Sequence, residues 1–228
     1  MTVGARAVAP PIVVRRAEGT AGRVALTFDD CDSPTAWERI LDVLDEDDVG
    51  ATFFPNGIRV EECPSLARRT IASGHAVGSH GYDHPHPTHV DRRGMRRRLE
   101  RDVALWARIG GRRRLTMFRP PYGEFDDVTL GAAADAGFDR VVLWDVDPND
   151  WACPGPDEVY RRTLEGVRPG SIVLLHVVDA TADALGPMVA CLQARGLTPV
   201  SIPRLLEDHE RAVACSQSTD RSASPAAT

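Results

Sequence analysis

Short apolar runs alternate with longer amphipathic stretches along most of this chain, and that alternation limits the folds it can adopt. Six runs are too short for helices and rich in β-branched or aromatic residues, which predicts buried strands. They lie at 24–28, 51–54, 75–78, 140–144, 171–175 and 198–202. Because strands that alternate with helices form mostly parallel sheets, the pattern predicts an α/β fold, either an open sheet or a barrel.

The stretches between these runs have helical spacing. Ser33 and Pro34 are typical of a helix start, and Trp37, Ile40 and Leu44 follow on one face. Further helices are predicted at 64–72, 91–109, 126–136, 156–167 and 182–195. In both parallel architectures a site forms at the carboxyl ends of the strands, so polar residues at those ends are the functional candidates.

Composition sets the domain organisation and excludes some partners. We predict an N-terminal extension over 1–19, one catalytic domain over 20–210 and a disordered tail over 211–228, since the tail is rich in Ser, Ala and Thr. The net charge of -6 argues against a nucleic-acid partner. No apolar stretch is long enough to cross a membrane. The first twenty residues lack a signal-peptide pattern, which predicts a cytoplasmic protein, or a secreted one if the start has been trimmed.

The chain has five cysteines. The number is odd and no two cysteines form a C-x-x-C pair, so neither a disulfide framework nor a cysteine zinc site is expected. We expect most of them to act as small buried side chains.

Two adjacent carboxylates, Asp29 and Asp30, directly follow the first predicted strand. A single Asp there could cap the next helix. Two acids side by side resist burial unless a cation or metal ion lies near them. The pair therefore indicates a charged site at this strand end.

Two histidines, His80 and His84, follow the third predicted strand. The prolines after them prevent a helix, so we expect a loop or single turn. Two imidazoles and a carboxylate from another strand end match a catalytic metal site with open positions. His86 and His89 are weaker candidates for the same role.

Three further strand ends carry polar residues. Arg119 is followed by two prolines and can pair with a buried Asp. His176 ends an apolar strand, and Asp150 lies near the end of a neighbouring one. A histidine with a nearby carboxylate is the usual arrangement of an oriented acid or base.

Taken together, these segments resemble the five motifs of the polysaccharide deacetylases, carbohydrate esterase family 4, also called the nodulation-protein-B homology domain. The motifs are Thr27-Phe28-Asp29-Asp30, His80-x-x-x-His84, Arg119-Pro120-Pro121-Tyr122, Asp147-x-x-Asp150-Trp151 and Ile172-Val173-Leu174-Leu175-His176. They occur in family order over residues 20–206. The resemblance implies a distorted (β/α) barrel and a metal-dependent hydrolase of carbon–nitrogen bonds, which removes acetyl groups from chitin oligomers, peptidoglycan or a small N-acetyl glycoside.

The resemblance also implies a metal site and a base. Asp30, His80 and His84 would bind a divalent metal, and their N, N and O ligand atoms favour zinc. Asp29 would be the general base, and Arg119 would hold it ionised.

The acid and the substrate contacts are implied in the same way. His176 would be the general acid, oriented by Asp150, which we expect to raise its pKa. The backbone N–H of Tyr122 would face the oxyanion, and Trp151 and Leu174 would flank the acetyl methyl group.

The chain departs from the family pattern at two positions. Cys31 stands where the family usually has Gly, and Val177 stands where it usually has Asp. We expect Cys31 to pack in the core. Two alternatives stay open: Cys31 could restrict the turn, or it could lie near the metal as an oxidisable or additional ligand. Neither change removes a catalytic group, but either can alter substrate choice.

Three alternatives remain. An O-acetyl esterase of the acetylxylan type would use the same groups. A non-catalytic carbohydrate-binding relative should have lost the base or the acid. A two-His-one-carboxylate iron enzyme would share the ligand set but gives no reason for Asp29, Arg119 or His176.

Overall fold

Strands and helices alternate along the chain in the computed structural model, which describes residues 9–110 and 114–222. The strands of this part are β1 (Ile12–Val14), β2 (Arg23–Asp30), β3 (Thr52–Pro55), β4 (Ala76–Val77), β5 (Met117–Phe118), β6 (Arg140–Val142), β7 (Ile172–His176) and β8 (Thr198–Pro199). The helices are α1 (Pro34–Glu46), α2 (Gly57–Glu62), α3 (Pro64–Ala72), α4 (Arg92–Ile109), α5 (Asp127–Ala136), α6 (Pro156–Gly166), α7 (Asp179–Ala194) and α8 (Ile202–Ser222). Each of the six predicted strands and six predicted helices overlaps an observed element of the same type.

The strands form a closed and irregular ring. One sheet has the order β4-β3-β2-β7, and the other has the order β1-β6-β5. All ladder pairings are parallel. Isolated parallel bridges, Ser79–Phe118 and Val146–Val173, join the sheets at both edges. The predicted fold class, a distorted (β/α) barrel with a mostly parallel sheet, is confirmed.

Alternate residues of β2 face opposite sides of this ring, as the period of two in a strand requires. Val24, Leu26 and Phe28 pack outward in the large hydrophobic cluster that contains the core residues of α1 and α7. Ala25 belongs to a smaller cluster with residues of the other strands. Thr27 and Asp29 continue on that inner side, so β2 carries polar groups towards the carboxyl end of the barrel.

Both predicted terminal segments contain regular elements in their described parts. Strand β1, within the predicted N-terminal extension, pairs with β6 of the predicted catalytic domain. Residues 211–222 continue helix α8 where composition predicts disorder. Ile202 and Leu205 anchor this helix in the core, and extending a nucleated helix costs little. Residues 1–8 and 223–228, at the ends of the predicted extension and tail, lie outside the described residues.

Two helices were not predicted, namely α2 and α8, and α7 begins at Asp179 rather than at residue 182. Helix α2 has only six residues, too few to show a clear apolar period. No helix within the described ranges has the length and apolar character needed to cross a bilayer.

Candidate active site

An open cleft of about 900 Å³ lies at the carboxyl ends of the strands. Its lining includes all the residues that the five motifs single out for chemistry or substrate contact except Arg119 and Asp150. Those two side chains are fully buried, and each bonds a residue of the lining. The ends of five different strands, and the loops that follow them, therefore bring the predicted site residues together.

Asp29 is held by a buried guanidinium. Arg119 donates from Nη1 to Asp29 Oδ1 at 2.7 Å and to Thr27 Oγ1 at 2.8 Å. Its other nitrogens donate to the carbonyls of Val142 and Leu143, and its guanidinium carbon lies 4.3 Å from the ring centre of Phe54. A buried charge with this many partners is fixed in place and stabilises a carboxylate beside it.

Asp30 leaves the strand by a left-handed turn. Its φ is 64° and that of the next residue, Cys31, is 63°. Successive strand residues point to opposite faces, so an undistorted strand would carry Asp29 and Asp30 to opposite sides of the sheet. The turn lets both carboxylates line one cleft, at the cost of a conformation that non-glycine residues seldom adopt.

His80 and His84 present ring nitrogens to the same oxygen of Asp30. The Nε2 atoms lie 3.5 Å and 3.4 Å from Asp30 Oδ1. Ligand atoms of a tetrahedral zinc site, with bonds of about 2.0 Å, are separated by about 3.3 Å. The three residues are the one group of metal-ligating side chains found in the described part of the chain, with ligand atoms within 4.8 Å of one another.

The surroundings of both histidines suit a cation. His80 Nδ1 lies 2.8 Å from the Arg119 carbonyl, which can only accept, so Nδ1 carries a proton and Nε2 is the ring nitrogen directed at Asp30. Burial, and then the neighbouring His80, lower the pKa of His84 and favour its neutral form. The donor set therefore fits a divalent metal ion.

The other two histidines of this loop lie outside that group. His86 stacks on the Tyr122 ring with centroids 4.0 Å apart, and its Nδ1 lies 3.2 Å from Glu124. His89 lies beside His86, at a centroid distance of 5.3 Å. Neither His86 nor His89 belongs to the group formed by Asp30, His80 and His84.

His176 lies across the cleft, paired in parallel register with Asp29. Asp150 accepts from its backbone N–H through Oδ2 and lies 2.7 Å from its Nδ1 through Oδ1. Thr181 also donates to Asp150 Oδ2 at 2.5 Å. Because a carboxylate accepts the Nδ1 proton, Nε2 is the nitrogen turned to the cleft, 3.9 Å from Asp30 Oδ2.

The electrostatic surroundings of His176 favour its protonated form. Burial lowers its pKa, but the hydrogen bond and charge of Asp150, followed by the charges of Asp29 and Asp30, outweigh burial and raise the pKa to about 9. The direction is the one predicted from the sequence. The imidazolium form of His176 is therefore favoured near neutral pH.

Three residues predicted to contact substrate line the cleft. Tyr122 has a φ of 59°, and its ring is exposed beside His84 and His86. Trp151 is 60% exposed, and Leu174 is nearly buried at the floor. An exposed tryptophan beside a polar cleft provides an apolar face for a sugar ring or an acetyl group.

The two departures from the family pattern are both core positions. Cys31 is 1% exposed and belongs to the large hydrophobic cluster. Burial, then the charges of Asp30 and Asp29, raise the pKa of its thiol well above the ordinary value, which disfavours the thiolate that metal binding requires. Val177 packs in the same cluster.

Sequence reasoning missed several partners of the site. Asn56 donates a hydrogen bond to Asp30. Thr27 accepts one from Arg119, and Thr181 donates one to Asp150. Trp144 lines the cleft. Asn56 follows β3, so the strand-end rule that located the aspartates also applies to it. Thr181 lies inside a helix, and no local pattern distinguishes it.

The chain is similar to known proteins in both sequence and structure. The polysaccharide deacetylase family profile matches residues 16–141, more than half of the chain. A chitooligosaccharide deacetylase of Sinorhizobium fredii is 36% identical over 208 residues, which cover 84% of this chain and 95% of that protein.

Solved structures give the same relationship. Peptidoglycan deacetylase PdaC from Bacillus subtilis has a TM-score of 0.81 at 29% identity, covering 91% of this chain and all of that one. A CE4 family pseudoenzyme from Bacillus anthracis has a TM-score of 0.82 at 30% identity, covering 87% of this chain and 70% of that one.

Proposed function

This chain belongs to the polysaccharide deacetylase family, and we propose that it is a metal-dependent hydrolase that removes acetyl groups from N-acetylated carbohydrates. We assign Asp30, His80 and His84 as the metal ligands. The observation that carries the proposal is the placement of a candidate base and a candidate acid on adjacent strands beside this one ligand group.

Zinc is the metal that we propose. Two neutral imidazoles and one carboxylate are a common catalytic zinc ligand set, and the spacing of the ligand atoms suits tetrahedral geometry. A zinc ion bound there would supply Lewis acidity, which acidifies water and polarises a carbonyl oxygen.

Asp29 is the proposed general base. It lies beside the ligand Asp30 but is bonded to Arg119, so its carboxylate is oriented by the protein. A carboxylate held in this way can accept a proton from attacking water. Tyr122 is proposed to offer its backbone N–H to the developing oxyanion, which stabilises charge formed in the transition state.

His176 is the proposed general acid. Departure of the amine requires a proton on nitrogen, and the imidazolium can deliver it from Nε2 while Asp150 holds Nδ1. Trp151 and Leu174 are proposed to contact the acetyl methyl group. The products are acetate and a free amino sugar.

Two relatives support N-acetylated substrates, since one is named for chitooligosaccharides and the other for peptidoglycan. The third is a pseudoenzyme, so family membership alone does not establish catalysis. Retention of both Asp29 and His176, each with its orienting partner, supports an active enzyme here.

Acetate release from a panel of substrates tests the proposal. The purified zinc-loaded chain is incubated with N-acetyl chitooligosaccharides, peptidoglycan fragments, N-acetylglucosamine and acetylxylan. We expect acetate from at least one N-acetyl substrate, loss of activity with a chelator and recovery on adding zinc. Asp29→Asn protein purified in the same way controls for contaminating host enzymes.

Release of acetate from acetylxylan alone would replace the proposal with the O-acetyl esterase alternative. No acetate from any substrate, with one zinc ion bound per chain, would identify a non-catalytic relative.

A further inference from the structure

Asn56 directly follows β3 and contacts the proposed metal ligand Asp30 twice. Its side-chain Nδ2 donates to Asp30 Oδ1 at 3.1 Å, and its backbone N–H donates to the Asp30 carbonyl at 3.2 Å. The residue is 7% exposed, so water competes little for these bonds. We propose that Asn56 is a positioning residue, which fixes the Asp30 carboxylate for metal binding; this inference rests on the proposed function.

Asn56 contacts Oδ1 of Asp30, which is the oxygen directed at the two histidines. Asp30 Oδ1 faces the Nε2 atoms of both His80 and His84, whereas Oδ2 is turned towards His176. A carboxylate at the end of a left-handed turn can rotate about its side-chain bonds. A hydrogen bond to Oδ1 restrains that rotation with the oxygen already directed at the histidines, which lowers the cost of ordering the ligand when the ion binds.

The chemistry of the amide suits this position. A carboxylate can only accept, so the nitrogen of the amide must face it. A neutral donor supports Asp30 without adding a positive charge that would repel the ion. A lysine or arginine at this place would form a stronger bond to Asp30 but would compete with the metal.

The Asn56 side chain contacts Asp30 and does not cap helix α2. Asn56 occupies the N-cap position of α2, where Asn commonly accepts from a first-turn N–H, but its side chain makes no capping bond. Its Oδ1 is buried and has no hydrogen-bond partner within the described ranges. A side chain that served the helix would use that oxygen, so the orientation of this amide serves Asp30 instead.

Serine provides the decisive substitution because it is as good an N-cap as asparagine but too short to reach Asp30. The full chain is stripped of metal with a chelator and titrated with Zn²⁺ alone at constant pH against a chromophoric competitor. We expect Asn56→Ser to raise the Kd for zinc by about tenfold or more, the usual effect of losing a partner of a metal ligand. Ile58→Ala, on the exposed side of the same helix, is the control and should bind zinc like wild type.

The outcomes separate the inference from the function it rests on. Equal zinc affinity of Asn56→Ser and wild type overturns the role of Asn56 alone. A wild-type chain that binds no zinc overturns the metal site and this inference with it. Asn56→Ala is the second variant, and metal-free thermal unfolding confirms that each protein compared is folded.

Discussion

The guanidinium of Arg119 holds Asp29 through a hydrogen bond of 2.7 Å between two buried side chains. Asp29 lies next to the proposed ligand Asp30 in the chain. Asp29 Oδ1 bonds a guanidinium, whereas Asp30 Oδ1 faces two imidazoles, of which that of His80 also lies 3.7 Å from Asp29 Oδ2. Adjacent acids of the same chemical type can therefore have different tasks, because each task is set by the surroundings.

Replacement of the base should separate turnover from metal binding. We expect Asp29→Asn to lower kcat by roughly 10²-fold or more, the usual cost of losing a general base, with zinc content near that of wild type. Asp30→Ala should lose zinc and activity together. Metal analysis beside steady-state kinetics tests both, and near-normal turnover of Asp29→Asn would refute the assigned role.

Replacement of the acid should also leave the ion in place. His176 Nε2 lies 3.9 Å from Asp30 Oδ2, and His176 is not part of the three-ligand group. We expect His176→Ala to lower kcat by roughly 10²-fold or more with zinc retained. His84→Ala is the comparison and should lose zinc. If His176→Ala strips the ion, His176 is a ligand and not the acid.

The pH profile should report the pair of His176 and Asp150. The acid acts only when protonated, so turnover is present below the pKa of His176 and is lost as pH rises through it. Asp150 raises that pKa, hence Asp150→Asn should move the alkaline limb of kcat to lower pH, by about one unit or more. A bound cation lowers the pKa of His176 in wild type and in Asp150→Asn alike, so the variant should still lose activity at a lower pH than wild type. An unchanged alkaline limb would contradict the pairing.

A buried acid outside the cleft should make stability depend on pH. Asp102 of α4 is fully buried, and burial raises its pKa from 3.8 to about 8, although a hydrogen bond from Ser79 opposes the shift. The folded state therefore keeps a proton that the unfolded state releases, and this group's contribution to stability falls as pH rises from about 4 to about 8, by at most about 1.4 kcal/mol per unit.

The variant Asp102→Asn should remove this dependence. Thermal unfolding of both metal-free proteins at pH 5 and pH 8 measures it. We expect the melting temperature of the variant, relative to wild type, to be higher at pH 8 than at pH 5. The same difference at both pH values would show that Asp102 is ionised throughout.

The cysteines should differ in reactivity according to burial. No disulfide joins the five cysteines, of which Cys31 is buried and Cys153 is exposed. We expect a thiol reagent to modify Cys153 quickly in the folded protein, and Cys31 only after unfolding, because burial and the nearby aspartates disfavour its thiolate. The unreduced, unfolded chain should titrate about five thiols. A count of about three would reveal a disulfide.

The sequence by itself determined the order of the main elements and the positions of most site residues. Hydrophobic period is a local property, so β2, β3 and β7 could be recognised from their own residues. Parallel strands place their carboxyl ends at one edge, so Asp29, His80 and His176 could be assigned to one site before any contact was known.

Only the tertiary structure decided how these groups face one another. The left-handed turn at Asp30 brings neighbouring carboxylates into one cleft, and the partnership of Asn56 with Asp30 spans 26 positions of the chain. Strand β1 was not predicted because it has only three residues and pairs with β6, which lies far along the chain. Local sequence patterns indicate which residues of a segment can be buried. Which side chains contact one another is decided by long-range contacts, and these form only when the strands close into the barrel.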